Sequence, residues 1–495
     1  MKKLVSIILA LVMILALNIP AFADTKITIN TDGTRTYNAY KLLNVTTSLT
    51  KGTHPQGCDG TNHLDGCYNY AYTVNPDFEN VLKTALEVDN ETAIINALNT
   101  NDLQTVANKV YKAIKQANIA ADKYVTFTGA EKTLAEGHWL IADVTQNLTD
   151  KANSLVMVKT VGQEEINISA KTAEPTITKE VLDKDDTLGT EAWGATADHD
   201  VNDVVSFKLT ATLPNNLSNY DTYTLVFEDN LSEAFTDASN ITVTLKNGDA
   251  TQDVTTSFVK TTNENDFTLT CADIKAIPDA TVTATSEFIV TYTAEFDGEV
   301  VVGNAGNLNE VTLKFSNDPY GDGKGEISDE VKVYTYTLVI NKFDDKNNAL
   351  NGAGFTLYKK VTGSTEPDEF EVVDTIEGVD FSKFTWTGLD AGIYKLVEST
   401  VPAGFNKMAD KTFEIAAEHD VVNEAFTLIS LDGGEMGAGD LATGVIENDI
   451  INQSGTILPS TGALGTMWLI LGGTALIVLA AVFMITRKKM SIYED

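Results

Sequence analysis

Two stretches of this chain put a lysine where an apolar side chain belongs. In Ile177-Thr178-Lys179-Glu180-Val181, strict alternation sets Lys179 on the face of Ile177 and Val181. In Leu338-Val339-Ile340-Asn341-Lys342 it sets Lys342 on the face of Leu338 and Ile340. A lysine turned into a core is costly unless it is neutral or paired. Each stretch opens a β-rich block that holds two further residues of the same kind. Asp229 aligns with Leu225 and Phe227, and Asn309 with Val311, Leu313 and Phe315. In the later block Glu398 aligns with Leu396 and Tyr394, and Asn452 with Ile450 and Ile446. Both blocks therefore carry a lysine near the first strand, an acid in the middle and an asparagine near the last strand.

Such a trio is reactive. Burial lowers the pKa of lysine and raises that of a carboxylic acid. A neutral lysine amine can attack the side-chain carboxamide of asparagine and release ammonia, leaving an isopeptide bond. A protonated acid beside it can hydrogen-bond the amide and move protons. Groups held together by the fold need no external catalyst. A buried lysine–carboxylate pair beside a polar asparagine is the plainer reading of the same pattern, and inward lysines are also common on edge strands.

The ends of the chain carry addresses. Lys2 and Lys3 precede an apolar stretch ending near Leu17, and Ala21-Phe22-Ala23 offers a cleavage site, so residues 1–23 read as a secretory signal peptide. Near the other end, residues 467–485 carry no charge and, as a helix, span roughly 28 Å, close to the thickness of a bilayer core. Arg487-Lys488-Lys489 follows and is expected on the cytoplasmic side. Leu458-Pro459-Ser460-Thr461-Gly462 lies just before the span.

Between these ends three blocks are expected. Residues 24–173 mix strands with a helical section in which Leu103, Val106, Val110 and Ile114 recur at helical spacing. Residues 174–332 and 333–455 are runs of Val, Thr, Phe and Tyr broken by Asn, Asp and Gly, the pattern of β-sandwiches. Residues 456–495 complete the chain. The expected fold is mainly β: tandem Ig-like β-sandwiches preceded by an α+β domain, elongated, with a signal peptide and a C-terminal transmembrane helix. With 70 acidic against 35 basic residues and a net charge of −35, the chain does not suit nucleic acid as a partner. Three cysteines are too few for a disulfide scaffold. Cys58 and Cys67 bracket a short loop and are expected to pair after export, while Cys271 reads as a small buried residue. Neither the His54–His63 region nor Asp318, Asp322 and Glu326 has a metal-site spacing, so no metal and no cofactor is expected. Beyond the trios no catalytic constellation stands out, and the chain does not read as an enzyme.

Several motifs resemble a known family. Leu458 to Gly462, the apolar run and the basic tail resemble the LPxTG sorting signal cut by sortases, which here implies cleavage between Thr461 and Gly462. Lys342, Gly352-Ala353-Gly354-Phe355 and Gly392-Ile393-Tyr394-Lys395-Leu396-Val397-Glu398 resemble the collagen-adhesin B-type domain; Val401 and Phe405 stand where that family usually has Ala and Tyr. Phe227-Glu228-Asp229-Asn230 and Gly306-Asn307-Leu308-Asn309-Glu310 resemble the fimbrial D2 isopeptide domain. Tyr37-Asn38-Ala39-Tyr40-Lys41 and Gly137-His138-Trp139-Leu140-Ile141 resemble the N-terminal pilin domain. Together these resemble the major, or backbone, pilins of Gram-positive sortase-assembled pili.

The resemblance implies cross-links Lys179–Asn309, with Asp229 as catalytic acid, and Lys342–Asn452, with Glu398 as acid. Asn307 and Glu228 are the alternatives in the first trio and Asn448 in the second. It implies head-to-tail joining of Thr461 to a lysine of the next subunit. Lys171 is in register for that role, although Ser169-Ala170 replaces the family's Tyr-Pro, and Lys159 competes with it. The implied partners are a sortase, identical subunits, minor tip and base pilins and the peptidoglycan, with transient anchoring in the membrane before sorting at the cell wall. A monomeric wall-anchored adhesin binding host matrix is the alternative.

Overall fold

The computed structural model describes residues 24–30, 35–49, 68–100, 102–145, 153–161, 163, 165–169, 175–186, 189–362, 366, 369–420, 426–455, 470–471, 473–480 and 482. The signal peptide, Cys58 and Cys67, Lys171 and residues 458–462 lie outside them. Among the described residues no helix is long and apolar enough to cross a membrane; the run at 467–485 is described only in part.

The strands gather into three units. In the first, Thr36–Leu49 pairs with Tyr68–Val74, Val125–Thr128 and His138–Asp143, and Leu155–Lys159 extends this sheet. A smaller sheet has Thr25–Asn30 at its centre, antiparallel to Glu131–Leu134 and parallel to Glu165–Ser169. The helix Leu103–Ala117 lays Ala107, Val110, Tyr111 and Ile114 against the larger sheet, with Leu103 and Val106 at the margin of the contact. Asp102 caps it by accepting from the Thr105 amide, and left-handed Asn118 ends it.

The second unit is a sandwich of two six-stranded sheets. One contains Ile177–Asp185, Val204–Thr212 and Glu287–Glu295 side by side, and the other contains Lys324–Tyr334, Asn307–Ser316 and Leu225–Leu231. Burial alternates residue by residue along Val204–Thr212 and Glu287–Glu295, as a sheet with one wet face requires. The third unit packs a three-stranded sheet, in order Lys383–Leu389, Tyr336–Asp344, Val445–Asn452, on a five-stranded sheet that includes Ala353–Lys360 and Gly392–Thr400. Its first and last strands are neighbours and run parallel, with Lys342 opposite Ile450 and Asp344 opposite Asn452.

The units are arranged in series. Unit one touches unit two at one end of the strand Asn307–Ser316. There the Tyr111 and Tyr320 rings meet edge to face at 4.8 Å, Asn108 donates to Asn219 at 2.6 Å and Lys112 pairs with Asp221 at 2.6 Å. Unit three touches the other end, where the Asn304 amide donates to Leu441 O at 3.0 Å and the Leu428 amide to Asn304 Oδ1 at 2.8 Å. Gly303, at φ +78°, lies so close to the other unit that a Cβ there would sit 2.4 Å from the Gly444 nitrogen. A strand of this length places the two contacts about 30 Å apart, so the second unit spaces the other two.

The joint between units two and three is polar and buried. Only Thr335 separates the strands Lys324–Tyr334 and Tyr336–Asp344. Lys359 of unit three reaches into a ring of carboxylates: Asp186 at 2.5 Å, Asp390 at 3.6 Å and a close contact with Asp200. Burial opposes the charge, yet Asp390, Asp200 and Asp186 together hold the lysine pKa above the usual range. The Lys359→Ala variant leaves this carboxylate ring without its cation. It is expected to destabilise the joint by about 3–5 kcal/mol. The check is thermal unfolding together with limited proteolysis, which should expose cleavage near Thr335; an unchanged melting profile contradicts the assignment.

Candidate functional site

Both trios of inward residues close up in the core. Lys179, Asp229, Asn309, Lys342, Glu398 and Asn452 are each no more than 2 % exposed.

In the second unit the trio spans the sandwich. Lys179 comes from the strand Ile177–Asp185 of one sheet, while Asp229 and Asn309 come from Leu225–Leu231 and Asn307–Ser316 of the other. The last two strands are neighbours, with Asp229 opposite Val311 and Leu231 opposite Asn309. Lys179 Nζ donates to Asn309 Oδ1 at 2.5 Å and to Asp229 Oδ2 at 2.6 Å. Phe207 and Tyr292 wall the ammonium position, their ring centroids 5.8 and 5.7 Å away. Burial pushes the Lys179 pKa down, although Asp229 opposes it. Burial pushes the Asp229 carboxyl up, although Lys179 opposes it. Both shifts favour the amine paired with the acid over the ion pair, and the two forms hold the same number of protons.

In the third unit the geometry differs. Lys342 and Asn452 lie on the neighbouring parallel strands of one sheet, and Glu398 reaches over from the strand Gly392–Thr400 of the other. Lys342 Nζ donates to Asn452 Oδ1 at 2.5 Å and to Ile450 O at 3.3 Å. Asn452 Nδ2 donates to Glu398 Oε1 at 2.6 Å, and that oxygen is 3.8 Å from Lys342 Nζ. The Met408 amide donates to Glu398 Oε2 at 2.8 Å and fixes the carboxyl. Burial draws the Lys342 pKa down to about 8, with Glu398 opposing. In both sites an amine nitrogen lies against a carboxamide in a dry pocket with a carboxyl beside it, the reactants for condensation with loss of ammonia.

The alternative residues are occupied elsewhere. Asn307 is buried but spans its own loop, accepting from the Val301 amide at 2.8 Å and donating to Val301 O at 2.9 Å. Glu228 faces the other side of its strand and pairs with Lys314 at 2.6 Å. Asn448 donates to Met436 O at 3.1 Å and supports a turn. Lys159 is exposed at the end of its strand and donates to Asn99 at 2.5 Å. Cys271 is buried, and burial pushes its thiol pKa up.

Two features escape the sequence pattern. Tyr292 joins the second-unit trio: its hydroxyl donates to Asp229 Oδ1 at 2.8 Å and accepts from Asn309 Nδ2 at 2.8 Å. The available signal is its inward place in the alternating Phe288, Val290, Tyr292, Ala294, since a phenol inside a core needs a partner. The first unit, in turn, buries Arg35 against Asp143, and Asn153 Nδ2 donates to Asp143 O at 3.2 Å. A guanidinium stays charged, so this group has no neutral amine with which to attack an amide.

Comparison with known proteins agrees with this architecture. Residues 336–427 match the SpaA family of prealbumin-like fold domains. The trypsin-resistant surface T6 protein of Streptococcus pyogenes serotype M6 is 24 % identical, covering 94 % of this chain and 95 % of that protein. The solved structure of the T6 backbone pilin of serotype M6 S. pyogenes, a modular three-domain structure, superposes with a TM-score of 0.55 at 16 % identity, covering 89 % of this chain and 100 % of that one. The full-length major pilin SpaD of Corynebacterium diphtheriae gives 0.45 at 16 % identity, covering 89 % and 99 %. The chain thus carries a SpaA-type prealbumin-like domain, is similar over nearly its whole length to a Gram-positive surface pilin, and shares the three-domain fold of such a backbone subunit.

Proposed function

We propose that this protein is the repeating shaft subunit of a covalently polymerised pilus on a Gram-positive cell surface. A sortase joins Thr461 of one subunit to a lysine of the next, and intramolecular Lys179–Asn309 and Lys342–Asn452 bonds brace each subunit. The observation that carries this reading is the pair of buried amine–amide–acid groups, one in each of two successive sandwiches. Each sits where a bond would tie a unit's first strand to one near its end: the last strand in the third unit, and the strand before the last in the second. The whole-length similarity to a surface pilin supports it.

A shaft under flow is loaded along its chain. A bond from Lys179 to Asn309 bypasses 130 positions, and one from Lys342 to Asn452 bypasses 110. Load then passes through amide bonds and leaves the sheets inside each loop unstretched. By the loop-closure argument each bond also stabilises its unit by about 5 kcal/mol. The subunit's role is mechanical, and its only chemistry is the self-catalysed condensation.

Each bond formed should lower the intact mass by about 17 Da, the ammonia lost in the condensation. Glu398→Ala should abolish the loss at Lys342–Asn452 and lower the melting temperature of that unit by roughly 15–20 °C. A Glu398→Ala protein whose tryptic digest still holds the joined Lys342 and Asn452 peptides would refute the assignment.

Polymerisation has its own test. Wall fractions boiled in SDS should give a high-mass ladder, and tryptic mass spectrometry of it should yield a branched peptide linking Thr461 to Lys171. Lys171→Arg should collapse the ladder to a single band. A junction at Lys159 moves the assembly site. A single band from the unmodified protein favours a monomeric wall-anchored adhesin.

A further inference from the structure

Resting on the cross-link reading above, we infer that Tyr292 is a catalytic residue of the second unit, relaying a proton between Asp229 and the departing nitrogen of Asn309. Both sites meet the same chemical requirement. The acid that accepts a proton from lysine must also deliver one to the amide nitrogen, so that ammonia and not amide anion leaves. In the third unit a single oxygen can serve both groups: Glu398 Oε1 accepts from Asn452 Nδ2 at 2.6 Å and stands 3.8 Å from Lys342 Nζ, within a small shift of hydrogen-bond reach. In the second unit the acid is an aspartate, one methylene shorter. It meets the lysine with Oδ2 at 2.6 Å and turns Oδ1 to Tyr292 at 2.8 Å. The Tyr292 hydroxyl in turn holds Asn309 Nδ2 at 2.8 Å. The phenol fills the gap left by the missing methylene and completes a chain of hydrogen bonds from amine to leaving group.

The protons balance along this chain. Lys179 first passes one proton to Asp229, giving amine and acid. The amine lone pair adds to Asn309 Cγ, and the carbonyl electrons move onto Oδ1. Losing its amide conjugation, Asn309 Nδ2 becomes basic and turns from donor to acceptor. The Asp229 carboxyl turns about its Cβ–Cγ bond to bring the proton received from Lys179 onto the oxygen facing Tyr292, and Tyr292 gives a proton to Nδ2 and takes this one. The resulting carboxylate removes a second proton from the new Lys179 nitrogen at Oδ2. The Cγ–Nδ2 bond then breaks, the carbonyl reforms and ammonia leaves, with Asp229 protonated at the end. Tyr292 is unchanged overall. Burial beside Asp229 pushes the phenol pKa far up, so the hydroxyl keeps the proton it must donate. Its ring, stacked on Phe207 at 5.1 Å and edge-on to Phe267 at 5.0 Å, cannot swing out of line.

The test follows both junctions in the same molecule by peptide mass spectrometry after refolding, comparing the unmodified chain, Tyr292→Phe, and Tyr292→Phe combined with Asp229→Glu. In Tyr292→Phe the Lys179–Asn309 junction should form at least about 100-fold more slowly, the scale of a lost proton-transfer catalyst. The Lys342–Asn452 junction should form at its usual rate, which reports on folding. In the double variant the longer acid reaches the amide directly, as Glu398 does, and the rate should recover at least about tenfold. Tyr292→Phe joining Lys179 to Asn309 at the unmodified rate would overturn the relay. A slowed variant that Asp229→Glu does not rescue would also overturn it, by assigning Tyr292 to packing. An unmodified chain that never forms this junction removes the cross-link reading itself.

Discussion

Everything distinctive about the two sandwiches depends on a lysine amine held out of water. A buried ammonium costs several kcal/mol even beside a carboxylate, and a buried ion pair is often no better than an apolar pair of the same size. The second and third units each hold a lysine in the middle of an aromatic core, next to Phe207 and Tyr292 or to Phe355, where burial disfavours its charge. On the proposed reading, condensation would turn the buried amine and a polar amide into one neutral secondary amide and expel ammonia, so the burial that makes the lysine reactive would also favour the product.

The two units solve the geometry by opposite routes. In the third, Lys342 and Asn452 sit on adjacent parallel strands, and the bridge would lie within one sheet. Its acid comes across the core and is long enough to touch the amide unaided. In the second, Lys179 and Asn309 face each other from different sheets, and the bridge would cross the sandwich. Its acid sits beside the asparagine strand and depends on Tyr292 from the lysine's own sheet to reach the nitrogen. The swap of glutamate for aspartate plus tyrosine is intelligible only once the strand order is known.

This also explains what the sequence could and could not disclose. A strand has a period of two, so an inward lysine, acid or asparagine among Val, Ile and Phe is visible before any fold is known. Lys179, Asp229, Asn309, Lys342, Glu398 and Asn452 were all legible in this way, as were the mainly β character and the helix around Val110 and Ile114. Tyr292 was not, because an inward tyrosine reads as ordinary core until its hydroxyl's partners are seen. The joint was hidden for a different reason. Lys359 is one lysine near the end of the strand Ala353–Lys360, and Asp186, Asp200 and Asp390 are scattered through two blocks. Only the docking of one sandwich on the next brings them together. Periodicity reports which way a side chain faces, and it carries no information about which distant element it meets.

The joint matters because the bridges leave a gap between them. On the proposed reading, load leaves the second unit at Asn309 and enters the third at Lys342, so residues 310–341 carry it without a bypass. That segment holds the rest of the strand Asn307–Ser316, its hairpin partner Lys324–Tyr334 and the start of Tyr336–Asp344. Its shield is non-covalent: ladder hydrogen bonds to Leu225–Leu231 on one side, and the docked third unit at the other end. The Lys359 carboxylate ring and the close approach of Gly303 to Gly444 lie at that point. A buried ion cluster is a poor source of net stability, but it resists partial opening, because separating the units strands charges in both. The placement is therefore consistent with the mechanics: amide bonds where a strand would otherwise be pulled from its sheet, and a charge-locked interface over the stretch that runs from one bridge to the next.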